Sequence, residues 1–365
     1  MNTGLLPEGF HDRLPPFADM AARLEARILA TAFSHGYERC DPPLAEFEES
    51  IGTRLKAASA RNAVRFVDPA SQRTLAIRPD ITAQVGRIAA TRMAHHPRPV
   101  RLSYAGTVLK LRASPLAPDR ALRQIGCELI GLDSVAAARE VVGVAVEALS
   151  AAGLSGLSID FTLPDLVPTL AGGQLCAKRL AALSEALDAK DAAAVAAIDP
   201  AYMPLIQAAG PFDAAIARLR AADTGGMLAS RIEGLAAVAD GLEGVSLTLD
   251  PTERHGFEYQ SWIGFSIFAA GARREIGRGG AYQVMHEDGR EEAAIGFSLF
   301  VDPILDAGLA PVERRRLFVP VDGDAALAAK LRAEGWVTVA ALDPADTPAA
   351  QLCGWRLGPD GPIAI

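Results

Sequence analysis

The sequence predicts an α+β fold: an antiparallel sheet flanked by helices, with a helical insertion and a small C-terminal α/β domain. Three observations carry this. Two strand-like segments, Val100 to Leu111 and Leu122 to Leu132, stand on either side of a proline-bearing loop. An alanine-rich helical stretch over 164–240 separates the strands before it from those after it. A strand–helix–strand unit closes the chain.

The elements follow in order. Residues 1–16, with Gly9, Pro15 and Pro16, read as an irregular lead-in. Phe17, Met20, Leu24, Ile28, Leu29, Ala32 and Phe33 recur at helical spacing, so 17–35 is predicted as a helix, stopped by Gly36. Tyr37 to Pro43 turns extended and is closed by two prolines, and a Glu-rich segment runs from Glu46 to Glu49. Residues 64–67 and 73–78 read as a hairpin, and Ile81 to Met93 as a helix ended by His95-His96-Pro97. After the strand–loop–strand, an Ala/Val-rich helix is expected at 133–152 and a strand at 157–162. The helical stretch 164–240 breaks near Pro200, Pro204 and Gly210-Pro211. Strands return at 245–249, 257–269, 273–278 and 291–299, and a helix follows at 301–308. Beyond a linker from Gly308 to Arg316, Leu317 to Val321, a helix at 323–334 and Val337 to Leu342 form a β-α-β unit with a Pro- and Gly-rich tail. The expected domains are 1–310 and 311–365, the second marginal by itself.

The 365 residues are half hydrophobic, which suits a globular chain with a large core. A net charge of -8 argues against broad nucleic-acid binding, which normally shows a basic face. The N-terminus lacks a basic region followed by an apolar core, and every apolar run is interrupted well short of a membrane span. The expectation is a cytoplasmic protein. Cys40, Cys127, Cys176 and Cys353 lack metal spacing, so they are expected to be reduced and mostly buried, with no metal and no cofactor.

The chemistry concentrates at Arg78-Pro79-Asp80-Ile81-Thr82. An apolar run delivers an arginine, a proline bend, a carboxylate and a hydroxyl into one short loop. Proline fixes its own φ and restricts the residue before it, so Asp80 and Thr82 are aimed rigidly, as a site for an α-amino group needs. Gln124 and Glu128 sit at even spacing on one predicted strand and so share a face of the sheet. Simpler enzyme signatures are missing. There is no GxxxxGK[ST] phosphate loop and no HExxH helix. Gly296-Phe297-Ser298 lacks the second glycine of a nucleophile elbow and reads as core strand. Gly277-Arg278-Gly279-Gly280 does not open a helix and reads as a tight hairpin or bulge.

These segments, in this order, resemble class II aminoacyl-tRNA synthetases, and among them the histidyl-tRNA synthetase family. Gly36-Tyr37 through Pro42 is similar to the first, dimer-forming motif. Arg101 to Gly106 through Arg120, with Gln124 to Gly131, is similar to the second. His255-Gly256-Phe257-Glu258-Tyr259 resembles the histidine-specific Arg-Gly-Leu-Asp-Tyr segment, and Gly279-Gly280-Ala281-Tyr282 its Gly-Gly-Arg-Tyr. Ala294 to Leu299 is similar to the start of the third motif. The resemblance covers roughly 5–305 and implies a class II synthetase-like sheet. It also implies a histidine-like pocket made by Asp80, Thr82, Lys110, Gln124, Glu128, Glu258, Tyr259 and Tyr282.

The departures bear on activity. Adenylation needs cations around the phosphates. The second-motif arginine is matched by Lys110, which keeps charge without the bidentate fork. His255, Ala281 and Asp302-Pro303 replace three further arginine-bearing positions. One such loss costs on the order of 10²–10³ in rate, so adenylation should be abolished and no catalytic residue is expected. Trp262 is expected to narrow the cleft by its bulk. One branch related to these synthetases, the regulatory subunits of ATP phosphoribosyltransferase, combines such a core with a reduced C-terminal piece and an Arg-Pro-Asp-x-Thr loop. That resemblance implies a partner, the short-form catalytic subunit, in a hetero-oligomer built on a homodimer core. It implies feedback control by histidine in the first step of histidine biosynthesis, and neither tRNA nor membrane as partner. A divergent histidyl-tRNA synthetase or adenylate-forming paralogue is the competing reading.

Overall fold

The computed structural model describes residues 5–52, 63–112, 118–254, 260–307 and 315–365. The chain divides into two units, Met1–Leu309 and Ala310–Ile365.

The first unit begins with helix α1 (Phe17–Ser34). It buries Ala21, Leu24, Ile28 and Ala32, whereas Phe17 and Phe33, expected on the same apolar face, lie at its exposed ends. Gly36 takes a φ of +82° and ends the helix. There follow β1 (Glu38–Arg39), β2 (Ala45–Phe47), α2 (Glu48–Gly52), β3 (Val64–Val67), β4 (Thr74–Ile77) and α3 (Thr82–Ala90). Strands β2, β4 and β3 form a separate three-stranded antiparallel sheet. Next come β5 (Val100–Leu109), β6 (Ala121–Ile130), α4 (Val135–Ala151) and β7 (Ser158–Thr162). The stretch read as helical contains α5 (Leu166–Ala171), α6 (Ala177–Asp188), α7 (Ala192–Ile198), α8 (Met203–Ile206), α9 (Phe212–Ala222) and α10 (Ala229–Ala239). Gly210-Pro211, read as a break, is instead a two-residue strand, β8, paired with β9 (Ser246–Leu249). Then come β10 (Gln260–Phe268), β11 (Gly277–Met285), β12 (Glu291–Phe300) and α11 (Val301–Asp306).

Nine strands form the main sheet in the order β1-β5-β6-β12-β11-β10-β7-β9-β8. It is antiparallel except for the β1–β5 and β7–β9 pairs. The glycines at 277, 279 and 280 correct the sequence reading. They make no turn: Gly277 opens the central strand β11, and Gly279 and Gly280 lie inside it. A Cβ on Gly279 would strike the Phe265 ring and the Gly296 carbonyl, and one on Gly277 would sit 2.8 Å from the Ser298 carbonyl. Close packing of neighbouring strands outweighs the low strand propensity of glycine here.

Residue parity assigns the two faces of the sheet. Ala105, Ile125, Cys127, Leu129, Ala281, Ile295 and Phe297 join α1 and α4 in the larger apolar core. Leu102, Tyr104, Val108, Tyr282 and Val284 face the other way, against α3 residues Ala83, Val85 and Ala89. Cys127 and Cys353 are buried, Cys40 is half-buried and Cys176 is exposed, so burial is less general than the sequence suggested. Among the described residues, no helix is long and apolar enough to cross a membrane.

The second unit holds β13 (Arg316–Val319), α12 (Ala325–Ala333), β14 (Val337–Ala340), β15 (Trp355–Gly358) and β16 (Gly361–Ala364). Its sheet runs β14-β13-β15-β16, so the Pro- and Gly-rich tail supplies a hairpin. Asp324 caps α12 through the Ala326 and Leu327 amides, and Leu317, Leu331 and Leu357 form the core. Trp336 meets Trp355 edge-on at 5.2 Å between ring centres.

Candidate functional site

Arg78, the first residue of the key loop, does not face a ligand. Its guanidinium is buried and donates to the carbonyls of Thr107 (2.9 Å) and Pro42 (2.7 Å) and to Gln84 Oε1 (3.4 Å). Gly106 leaves room for it, since a Cβ there would strike the guanidinium. Arg78 thus ties the loop to β5 and to the Pro42-Pro43 turn. Replacing Arg78 by methionine should cost a few kcal/mol, because buried carbonyls lose a charged donor. Chemical denaturation measures this, and a loss below about 0.5 kcal/mol contradicts the anchoring role.

The anchored loop presents Asp80 and starts α3. Asp80 Oδ1 accepts from the Thr82 amide at 2.7 Å, and Oδ2 from Gln124 Nε2 at 3.0 Å. Gln124 also donates to Ser298 Oγ (2.7 Å) and accepts from the Ile81 amide (3.1 Å). The Tyr104 hydroxyl lies 3.2 Å from Thr82 Oγ1, 3.0 Å from Ser298 Oγ and 3.1 Å from Glu128 Oε1. The Tyr282 hydroxyl donates to Glu128 Oε2 at 2.8 Å. All of these residues except Asp80 are fully or nearly fully buried.

Glu128 is the electrostatic centre of the site. Among the described residues its carboxyl meets hydroxyls and no cation. Burial pushes its pKa up to about 8, the Asp80 charge adds to the rise, and the hydrogen bonds from Tyr282, Thr82 and Tyr104 oppose it. Near neutral pH the group is therefore largely protonated.

The cleft is lined by Asp80, Thr82, Glu128, Gln260, Arg278 and Tyr282, with glycine backbone at 279, 280 and 296. The closed part of the cleft has a volume of about 30 Å³, room for one or two waters. At the mouth, Arg278 makes a two-pronged bond to Glu275, both contacts at 2.6 Å. Lys110 is not a lining residue; its ammonium lies 5.9 Å from the ring centre of Phe300, which is. Burial and then the charges of Arg278 and Arg274 push its pKa down.

Of the residues expected from sequence, Asp80, Thr82, Gln124, Glu128 and Tyr282 converge. Lys110 does not line the cleft, and Glu258 and Tyr259, like His255, lie outside the described residues. Two further readings are corrected. Trp262 turns away from the cleft: its indole packs on Gly234 of α10 and donates to Asp133 Oδ1 at 2.7 Å. Ala281 lies in the apolar core on the opposite face, so its missing arginine removes no cation from the cleft. Sequence reasoning passed over Tyr104, Ser298, Gln260 and Arg278. Tyr104 shares the inward parity of Leu102 and Val108, which was the available signal.

The sheet, its flanking helices and this cleft define a class II synthetase-like core. Residues 9–304 match the family model described as histidyl-tRNA synthetase. The chain is 42% identical to an ATP phosphoribosyltransferase regulatory subunit from Paramagnetospirillum magneticum, covering 100% of this chain and 98% of the relative. It is 44% identical to that of Rhodospirillum centenum, over 93% and 90%. The chain belongs to the family of ATP phosphoribosyltransferase regulatory subunits. Among solved structures it resembles an ATP phosphoribosyltransferase regulatory subunit/histidyl-tRNA synthetase from Bacillus halodurans (TM-score 0.80, 22% identity, 96% of each chain). It also resembles a chain of the ATP phosphoribosyl transferase (HisG:HisZ) complex from Thermotoga maritima (TM-score 0.61, 19% identity, 77% of this chain and 97% of that one).

Proposed function

We propose that this chain is a non-catalytic regulatory subunit that joins a short-form ATP phosphoribosyltransferase catalytic subunit. We further infer that its cleft takes histidine. The observation that carries the second inference is one cleft lined by two acidic side chains, Asp80 and Glu128, and by Arg278, with Lys110 near its Phe300 ring. An ammonium suits Asp80, a ring N–H suits Glu128, and a carboxylate suits the side of Arg278 and Lys110. Thr82, Gln124 and Tyr282 hold the acidic end in shape, and Glu258 and Tyr259 belong to the same proposal.

Adenylation is not expected from this chain. Lys110 lacks the fork of an arginine, and position 303 is a proline buried in α11. The adjacent Asp302 is held by Arg13 and by the Arg123 amide. Histidine then acts as an effector: bound more tightly in one state of the complex than another, it shifts the partner between states. A homodimer core and a cytoplasmic location belong to the same reading.

Calorimetric titration with histidine tests the pocket. Asp80→Ala should weaken binding roughly tenfold to hundredfold, the loss of one charge-assisted contact. Unchanged affinity in that variant places the site elsewhere. Robust histidine-dependent exchange of pyrophosphate into ATP would instead establish the synthetase alternative.

A further inference from the structure

On the face of the sheet that carries α1 and α4, away from the cleft, lies a groove of about 420 Å³. That volume is within the range of binding pockets. Its walls are the end of α1 at His35, the outer side of α4 and residues 241–243 after α10. Val144, Val146 and Leu242 give it apolar stretches. Glu140, Glu147 and Glu243 set three carboxylates against one arginine, Arg139. Two of the carboxylates are matched within the chain. Glu140 accepts from Arg101 at 2.7 and 2.8 Å and from the Tyr37 hydroxyl at 3.0 Å, and Glu147 lies 2.9 Å from His35 Nε2. Glu243 and Arg139 have no hydrogen bond or ion pair among the described residues.

Gly143 is an independent observation at the same place. It lines the groove from the middle of α4, where glycine costs stability relative to alanine. Among the described residues nothing comes within 4 Å of where its Cβ would sit, and its backbone is ordinary helix. Neither packing within the chain nor local conformation calls for glycine there. The missing side chain keeps the floor of the groove open to something outside the chain.

We propose that this groove docks the short-form catalytic subunit, taking from it a segment that lays a lysine or arginine side chain along Val144, Val146 and Leu242 toward Glu243, with its main chain against Gly143. This rests on reading the chain as a subunit that joins such an enzyme, and it adds the surface. Charge complementarity selects the occupant. The lining is net acidic, and a long basic side chain offers an aliphatic stem to the apolar stretches and a cation to the unmatched carboxylate. Arg139 needs acceptors, which the carbonyls of a docked polypeptide supply and a free cation does not. A basic anchor in a pocket at the centre of a larger contact is a common way for interfaces to concentrate binding energy.

The test is calorimetric titration of the full chain with a short-form catalytic subunit. Glu243→Lys should weaken association roughly tenfold or more, because it sets like charges against each other. Gly143→Gln fills the floor and should weaken association by at least about tenfold, while its melting temperature stays level or rises. Glu185→Lys makes the same charge change at an exposed carboxylate of α6 that has no partner among the described residues, and should leave the affinity unchanged. Unchanged affinity in either groove variant overturns the assignment, and so does an equal loss in Glu185→Lys. Self-association of the chain that Gly143→Gln abolishes while affinity for the catalytic subunit stays intact makes the occupant a second copy, and overturns it too. No association by wild type at all refutes the underlying subunit reading instead.

Discussion

Glu128→Gln is expected to make this protein more stable at pH 8, not less, and to flatten the pH dependence of its stability. Glu128 is buried among hydroxyls, and its folded-state pKa is about 8 against an ordinary value of 4.5. The sign follows from proton counting. Between pH 4.5 and 8 the folded state keeps a proton that the unfolded chain gives up. This group's contribution is therefore fully present below 4.5, falls as pH rises, and is lost above about 8. At about 1.4 kcal/mol per pH unit the full fall amounts to ~5 kcal/mol. Glutamine mimics the neutral carboxyl and does not titrate. Denaturant titrations from pH 5 to 9 should show the two proteins close at pH 5 and diverging steadily to pH 8. Parallel curves would mean that Glu128 is ionised in the folded state, with a cation beside it.

Gly296→Ala is expected to be strongly destabilising. Gly296 pairs with Glu128 across β12 and β6, and an added Cβ would strike the Glu128 carboxylate and sit 2.6 Å from the Cys127 carbonyl. One neighbour is backbone. The other is a side chain held by two tyrosines, so neither yields easily. Overpacking of this kind costs ~3 kcal/mol or more. Gly143→Ala is the control. Gly143 lies inside α4 with nothing near its missing Cβ, so alanine there should stabilise by about 0.5–1 kcal/mol. Opposite shifts in melting temperature for these two changes support the packing account. Similar shifts contradict it.

Much of this was legible in the sequence because it depends on period and order. The even spacing of Gln124 and Glu128 put both on one face, and the proline-fixed loop delivered Asp80 and Thr82 to the same place. What stayed hidden depends on contacts between distant strands. Gly277 to Gly280 reads as a turn by propensity, and only the ring of Phe265 and the bulk of Leu299 explain glycine inside a strand. Tyr104 and Ser298 sit in apolar runs, and only the pairing of β5 with β6 and of β6 with β12 brings Tyr104 to Glu128 and Ser298 to Gln124. Trp262 and Gln260 share parity, so a regular strand would put both in the cleft. The irregularity that separates them has no local signature. Ala281 shows the converse: a residue matched by motif alone lies on the wrong side of the sheet for the chemistry assigned to it.

The decisive measurement is the turnover of a short-form ATP phosphoribosyltransferase catalytic subunit with and without this chain, each in the presence and absence of histidine. The account predicts that the chain raises turnover and that histidine lowers it only in the complex. Identical turnover and identical histidine response with and without the chain would contradict it.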